Sequence, residues 1–271
     1  MAIGGRGIDA GKRGAWTIVA EGREALWVGI RATTEAGIKP DPAYRHEVQR
    51  AKEDWQRMLE EEIFQPAPGE VMSQAQVVGV LNQESRAGDT VINDAGTLPG
   101  DLHSLWDSSN GTNCHLEFGY SCMGYALPAG LGVRMAQPEG DVYVLVGDAT
   151  YLLSPSELVT AMEENLKVTV VISENHGLQA IRGLQESRTG HSFGNEFRAR
   201  DTVSNLLEGE YVEIDFARNA ASMGARTWRV TTPDQLRAAL SEAREEVRSC
   251  VIVAETEKRR SVPAPGAWWD L

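Results

Sequence analysis

Residues 144–177 read VLVGDATYLLSPSELVTAMEENLKVTVVISENHG. Two apolar, β-branched runs, VLVG and VTVVIS, flank a segment with helical spacing. That pattern marks buried strands of a parallel sheet joined by a crossover helix. Ser154 and Pro155 supply the expected helix start. Each strand ends on a polar residue, Asp148 after the first and Asn175 after the second. Ligands of open parallel sheets sit beyond the carboxyl ends of the strands. If the two strands are neighbours, a carboxylate and an amide oxygen reach one crevice. With a backbone carbonyl they form a hard oxygen set suited to Mg²⁺ or Ca²⁺. Residues 149–150 open a helix, whose free N–H groups and Thr150 hydroxyl suit phosphate. The reading is a cation held by Asp148 and Asn175, with a diphosphate held by the cation. A plain helix cap at Asp148 and a turn residue at Asn175 are the competing readings.

Outward from this stretch the same rhythm extends over residues 70–256. Helices are expected at 73–85 with Ser73 as N-cap, at 120–138 among small residues, at 215–224 and at 233–247. Strands are expected at 89–93, 141–148, 167–175, 225–231 and 249–256. The fold class is therefore α/β, a doubly wound parallel sheet with helices on both faces. Residues 1–69 read as a helical N-terminal extension, with helices near 21–34 and 41–64 and a QPAPGE linker at 65–70. Residues 70–271 form the main domain. Trp55, Met58 and Ile63 are candidates for docking on a partner chain.

The chain has 271 residues, 42% hydrophobic and 24% charged, the balance of a globular protein. Net charge is −13 and no Lys/Arg cluster stands out, which argues against nucleic acid as a partner. No apolar run is long enough to span a membrane. Cys114, Cys122 and Cys250 fit neither a disulfide framework nor a metal knuckle. The expected compartment is the cytoplasm.

Gly147-Asp148-Ala149, a spacer and then Asn175 resembles the signature of thiamine diphosphate (ThDP) enzymes, in which Ala149 replaces a glycine. GYSCMGYALPAGLGVRMA at 119–136 is similar to the segment that precedes this motif in acetolactate-synthase-like members. SQAQVVGVLN, NDAGTLPGDLHSLW, HLEFGYSCMGY, NHGLQAI and GAWWDL together resemble the trihydroxycyclohexane-1,2-dione hydrolases of inositol catabolism. The likeness covers about residues 70–271. It implies a diphosphate-binding domain with ThDP and Mg²⁺ as cofactors. Asp148, Asn175 and Gly177 are then the metal residues. Gly96, Thr97, Leu98, Gly147, Ala149, Thr150 and Leu178 lie near the cofactor. Met123 is the apolar wedge that bends it, flanked by Cys122, and the Ser121 carbonyl accepts from the aminopyrimidine amine.

In that family a second domain supplies the pyrimidine site and an activating glutamate. The resemblance therefore implies a split enzyme, with that domain on a second polypeptide and a heterotetramer or larger assembly. The expected reaction makes or breaks a carbon–carbon bond next to a carbonyl, as in the cyclic 1,2-dione hydrolases. A carboligase acting on a 2-oxo acid and a non-catalytic regulatory subunit are the alternatives. His176 and His115 are candidate catalytic groups, and His103 and His191 weaker ones. Glu117 is a candidate to face the substrate. Residues 185–201 read as a long polar loop, either a lid or a solvated connection.

Overall fold

The computed structural model describes residues 2–4, 14–65, 71–117 and 119–258. The GAWWDL stretch and all but the first residue of the QPAPGE linker lie outside them. The chain divides into two compact units, Met1–Arg57 and Met58–Leu271. In the first, β1 (Ala2–Gly4) pairs in parallel with β2 (Thr17–Val19). Helix α1 (Gly22–Glu35) starts where the Glu21 carboxylate accepts from the N–H groups of Arg23 and Glu24. Helix α2 (Pro42–Met58) follows, and neither helix contains a buried residue.

The second unit begins with a π-helical turn, Leu59–Ile63, whose Leu59 and Ile63 are buried. Ile63 is therefore committed to this chain's own interior and is not free to dock on a partner, as its apolar character alone suggested. Helix α3 (Gln74–Glu84) opens on a capping box: Ser73 accepts from the Gln76 N–H while the Gln76 side chain accepts from the Ser73 N–H. Phe64 lies against Gly79, where a Cβ would stand 2.7 Å from the ring.

The sheet contains β3 (Thr90–Asn93), β4 (Asn113–Leu116), β5 (Val142–Gly147), β6 (Thr169–Glu174), β7 (Arg226–Val230) and β8 (Cys250–Glu255). Their order is β4-β3-β5-β6-β8-β7, with every pairing parallel. Helices α4 (Leu98–Leu105), α5 (Ala126–Ala136), α6 (Asp148–Tyr151), α7 (Glu157–Glu163), α8 (Gln179–Thr189), α9 (Phe216–Ser222) and α10 (Pro233–Glu245) complete the unit. Strand side chains alternate between faces. Val142, Val144, Val146, Val170 and Ile172 pack with Leu127, Leu131, Leu158 and Phe216 in one cluster. Tyr143, Leu145, Val171 and Ile252 take the alternate positions and are buried too. A sheet covered on both faces is what the apolar runs predict.

Three local expectations are corrected. The helix expected over 120–138 begins only at Ala126. Ahead of it Ser121 (φ 52°) and Gly124 (φ 85°) are left-handed. The Glu117 carboxylate accepts from the Tyr120 and Cys122 N–H groups, and the Asp94 carboxylate from those of Gly124 and Ala126. The helix expected from Ser154 is shorter, α7 beginning only after Ser156. The loop expected over 185–201 starts as the last turns of α8. Its remainder is tied down: Leu178 N–H donates to the Asn195 carbonyl and Phe197 N–H to the His176 carbonyl.

Candidate cofactor site

After β3 the chain leaves on one side to form β4, then crosses to the other side of β3 to form β5. This is the topological switch point of a doubly wound sheet, where a crevice opens. A cavity of about 260 Å³ lies there. The ends of β3, β5 and β6 supply its walls. Gly96, Thr97 and Leu98 come from the first, Gly147, Ala149 and Thr150 from the second, Asn175, Gly177 and Leu178 from the third. Ser121 and Met123 from the irregular turn complete the set. The break in the expected helix is thus what brings these two residues to the cavity. Ala149 has no left-handed backbone, so its methyl group is carried without strain inside α6.

Asp148 is fully buried beneath this surface and joins two strand ends. Its carboxylate accepts from the N–H groups of Ala149 at 2.6 Å, Asn175 at 3.0 Å and Gly177 at 3.2 Å. Burial pushes its carboxyl up to about 6, against the downward pull of these N–H groups. Asn175 Oδ1 is buried and has no hydrogen-bond partner. Such an orphan carries a desolvation penalty unless something outside the chain satisfies it. A hard cation bound by the Asp148 carboxylate, the Asn175 amide oxygen and the Gly177 carbonyl fits this donor set. Gly177 is required for a second reason. Its φ is 134°, and a Cβ would meet the Asn195 carbonyl oxygen at 2.4 Å.

The remaining candidates stand outside the cavity lining. His176 has a left-handed backbone, φ 62°, and its ring packs 5.0 Å from that of Tyr211. Burial first, then the nearby Lys258, hold its pKa below the usual histidine value. His115 lies on the exposed edge strand β4 with Nε2 2.8 Å from the Tyr125 hydroxyl. Cys122, His103 and His191 are exposed and line no part of the cavity. Glu117 holds the turn through backbone N–H groups, which lower its pKa.

Several lining residues give no signal in the sequence. Ala180, Ile181 and Leu184 of α8 form an apolar wall. Gln74 also lines the cavity, and its Nε2 donates to Asp101 Oδ2 at 2.6 Å and to Thr97 Oγ1 at 2.8 Å. Asp101 is buried, which pushes its carboxyl up to about 6 against the hydrogen bond from Gln74. No helix among the described residues is long and apolar enough to cross a membrane.

Comparison with known proteins gives three findings. The family model described as thiamine pyrophosphate enzyme, C-terminal TPP binding domain, matches residues 94–254. A 3D-(3,5/4)-trihydroxycyclohexane-1,2-dione hydrolase 2 of Bacillus cereus is 34% identical over 97% of this chain and 44% of its own length. The corresponding hydrolase of Bacillus thuringiensis (strain Al Hakam) is 33% identical over the same shares. The chain thus spans less than half the length of these relatives. Among solved structures, a Rhodococcus jostii RHA1 thiamine diphosphate-dependent 4-hydroxybenzoylformate decarboxylase superposes with a TM-score of 0.60. It is 22% identical and covers 71% of this chain and 34% of its own, a likeness of fold.

Proposed function

The chain belongs to the thiamine pyrophosphate enzymes through their C-terminal TPP-binding domain, and from that footing we propose that it is the diphosphate-binding half of a ThDP enzyme acting on a cyclic 1,2-dione. The observation that carries the reading is the orphaned Asn175 Oδ1 beside the buried Asp148 carboxylate, at the edge of a cavity on the switch point. Asp148, Asn175 and the Gly177 carbonyl would hold Mg²⁺. Thr97, Thr150 and the N–H groups that open α6 would hold the diphosphate. Met123 would set the bend of the cofactor, and the Ser121 carbonyl would accept from its pyrimidine amine. When bound, ThDP supplies a carbon nucleophile and an electron sink for bond making or breaking next to a carbonyl. The apolar wall of Ala180, Ile181 and Leu184 would keep water from the reacting end.

The pyrimidine half, with its activating glutamate, is assigned to a second polypeptide. Tyr120, 90% exposed, and Met123, 38% exposed, support a covering chain at this end of the sheet. The identity to the dione hydrolases supports ring opening of a 1,2-dione over condensation of a 2-oxo acid.

The test combines this chain with a chain carrying a pyrimidine domain, Mg²⁺ and ThDP, and follows products from a cyclic 1,2-dione and from pyruvate. Ring-opened acid from the dione only by the pair is expected. Dione turnover by this chain alone would sink the split arrangement. Acyloin from pyruvate would favour the carboligase. Failure of the pair to take up ThDP would favour a non-catalytic subunit.

A further inference from the structure

Gln74 opens α3 directly after its cap and is 6% exposed. Its Nε2 directs both protons to the neighbouring helix, one to Asp101 and one to Thr97. Asp101, 5% exposed, sits inside α4, and Thr97 is the N-cap of that helix. A cap threonine ordinarily turns its hydroxyl onto its own helix. Thr97 makes no such bond. Its oxygen instead accepts from a residue far back in the sequence.

The direction of these bonds has a chemical consequence. An ionised carboxylate accepts only, so Asp101 fixes the Gln74 amide with its nitrogen towards α4. Gln74 can then only donate to Thr97. A hydroxyl carries one proton, and with its oxygen engaged by Gln74 that proton remains for another acceptor. Both Thr97 and Gln74 line the cavity.

We propose that Gln74 and Asp101 are positioning residues that orient the Thr97 hydroxyl as a hydrogen-bond donor to a diphosphate oxygen in the cavity. The proposal rests on the diphosphate reading above and adds two residues to it. No proton changes owner. Thr97 touches the anion, and the other two act through Thr97. A merely structural tie between α3 and α4 would affect folding but would not depend on the Thr97 hydroxyl.

The experiment is a double-mutant cycle. Magnesium pyrophosphate is titrated by calorimetry into the full chain, into Thr97→Val, Gln74→Met and the double variant, with thermal melts of each. Thr97→Val and Gln74→Met should each weaken binding about tenfold to a hundredfold, the worth of a hydrogen bond to a charged acceptor. The double variant should bind no more weakly than Thr97→Val alone. Asp101→Asn keeps the shape but frees the amide to turn either way. It should weaken binding when Thr97 is present and have no effect in the Thr97→Val background, which provides the same test should Gln74→Met fail to fold. Multiplying effects of Gln74→Met and Thr97→Val, or unaltered binding by folded Gln74→Met, overturn the positioning role and leave the diphosphate reading intact. A wild-type chain that binds no magnesium pyrophosphate overturns both.

Discussion

The backbone N–H of Asn175 donates to Asp148 Oδ2 at 3.0 Å, while the side-chain Oδ1 of the same asparagine lies buried with no partner. One residue thus both closes the turn and leaves a buried acceptor without a partner, the one proposed above for a cation. Separating the two roles gives a first prediction. Asn175→Leu keeps the backbone bond and removes the orphan, whose burial costs about 1–3 kcal/mol. The cation-free protein should melt at an equal or higher temperature than wild type, while Mg²⁺-dependent ThDP uptake falls at least about tenfold. Differential scanning calorimetry with and without Mg²⁺ and ThDP checks both halves; undiminished uptake would remove Asn175 from the cation site.

Gly177→Ala should damage the fold itself. The added methyl would meet the Asn195 carbonyl at 2.4 Å in a backbone conformation that side chains avoid. A destabilisation of about 3 kcal/mol or more is expected from clash and strain together. Denaturant melts measure it, and a change under about 1 kcal/mol would show that the turn relaxes freely.

Asp101 gives stability an unusual pH dependence. Burial raises its folded pKa to about 6 from 3.8. The native state therefore binds the proton more tightly than the unfolded chain. The stabilisation this provides is complete below pH 3.8 and is lost as pH rises through about 6. Asp101→Asn abolishes the effect. Relative to wild type it should gain about 1–3 kcal/mol at pH 8 and little near pH 4. Melts at the two pH values decide it; equal differences at both would contradict the raised pKa. At the higher pH the wild type carries an ionised buried carboxylate whose use is to orient Gln74, a trade of stability for function.

At the opposite end of the sheet Arg244 donates to Asp89 Oδ2 and to the Tyr143 hydroxyl, each at 2.8 Å, and pairs with Asp141. These groups are largely buried, so Arg244→Ala leaves two carboxylates without their main cation. A loss of about 3–5 kcal/mol is expected. The folded fraction should bind magnesium pyrophosphate as wild type does, because the cluster lies at the strand starts. Weakened binding at a temperature where the variant is fully folded would show coupling between the two ends.

What the sequence discloses depends on how far each residue's reason lies from it in the chain. β5 and β6 are legible because both faces are buried and the apolar runs are continuous. α3 is legible because its capping box is local. β4 is not legible: NCHL is an exposed edge strand with no apolar pattern. α8 is hidden because Leu178 gives it no side-chain cap and only Arg182 is buried along it. Its Ala180, Ile181 and Leu184 line a cavity and not the core, which leaves no continuous buried stripe to read. The candidate metal and diphosphate residues follow from a motif, and eleven of thirteen cofactor candidates line one cavity, all but Cys122 and the underlying Asp148. Gln74 and Asp101 could not be found this way, since their roles arise from bonds between helices.

β8 is the last strand of the sheet in chain order, yet it lies inside it, between β6 and β7. Arg226 must wait for Cys250 before its strand is paired at all, and β6, already paired with β5, must wait for β8 to cover its second edge. During synthesis the β7 side of the sheet therefore stays open until β8 has been made. Such long-range parallel pairing makes for slow folding and exposes unpaired strand edges meanwhile, so the nascent protein should lean on chaperones far more than its finished form suggests.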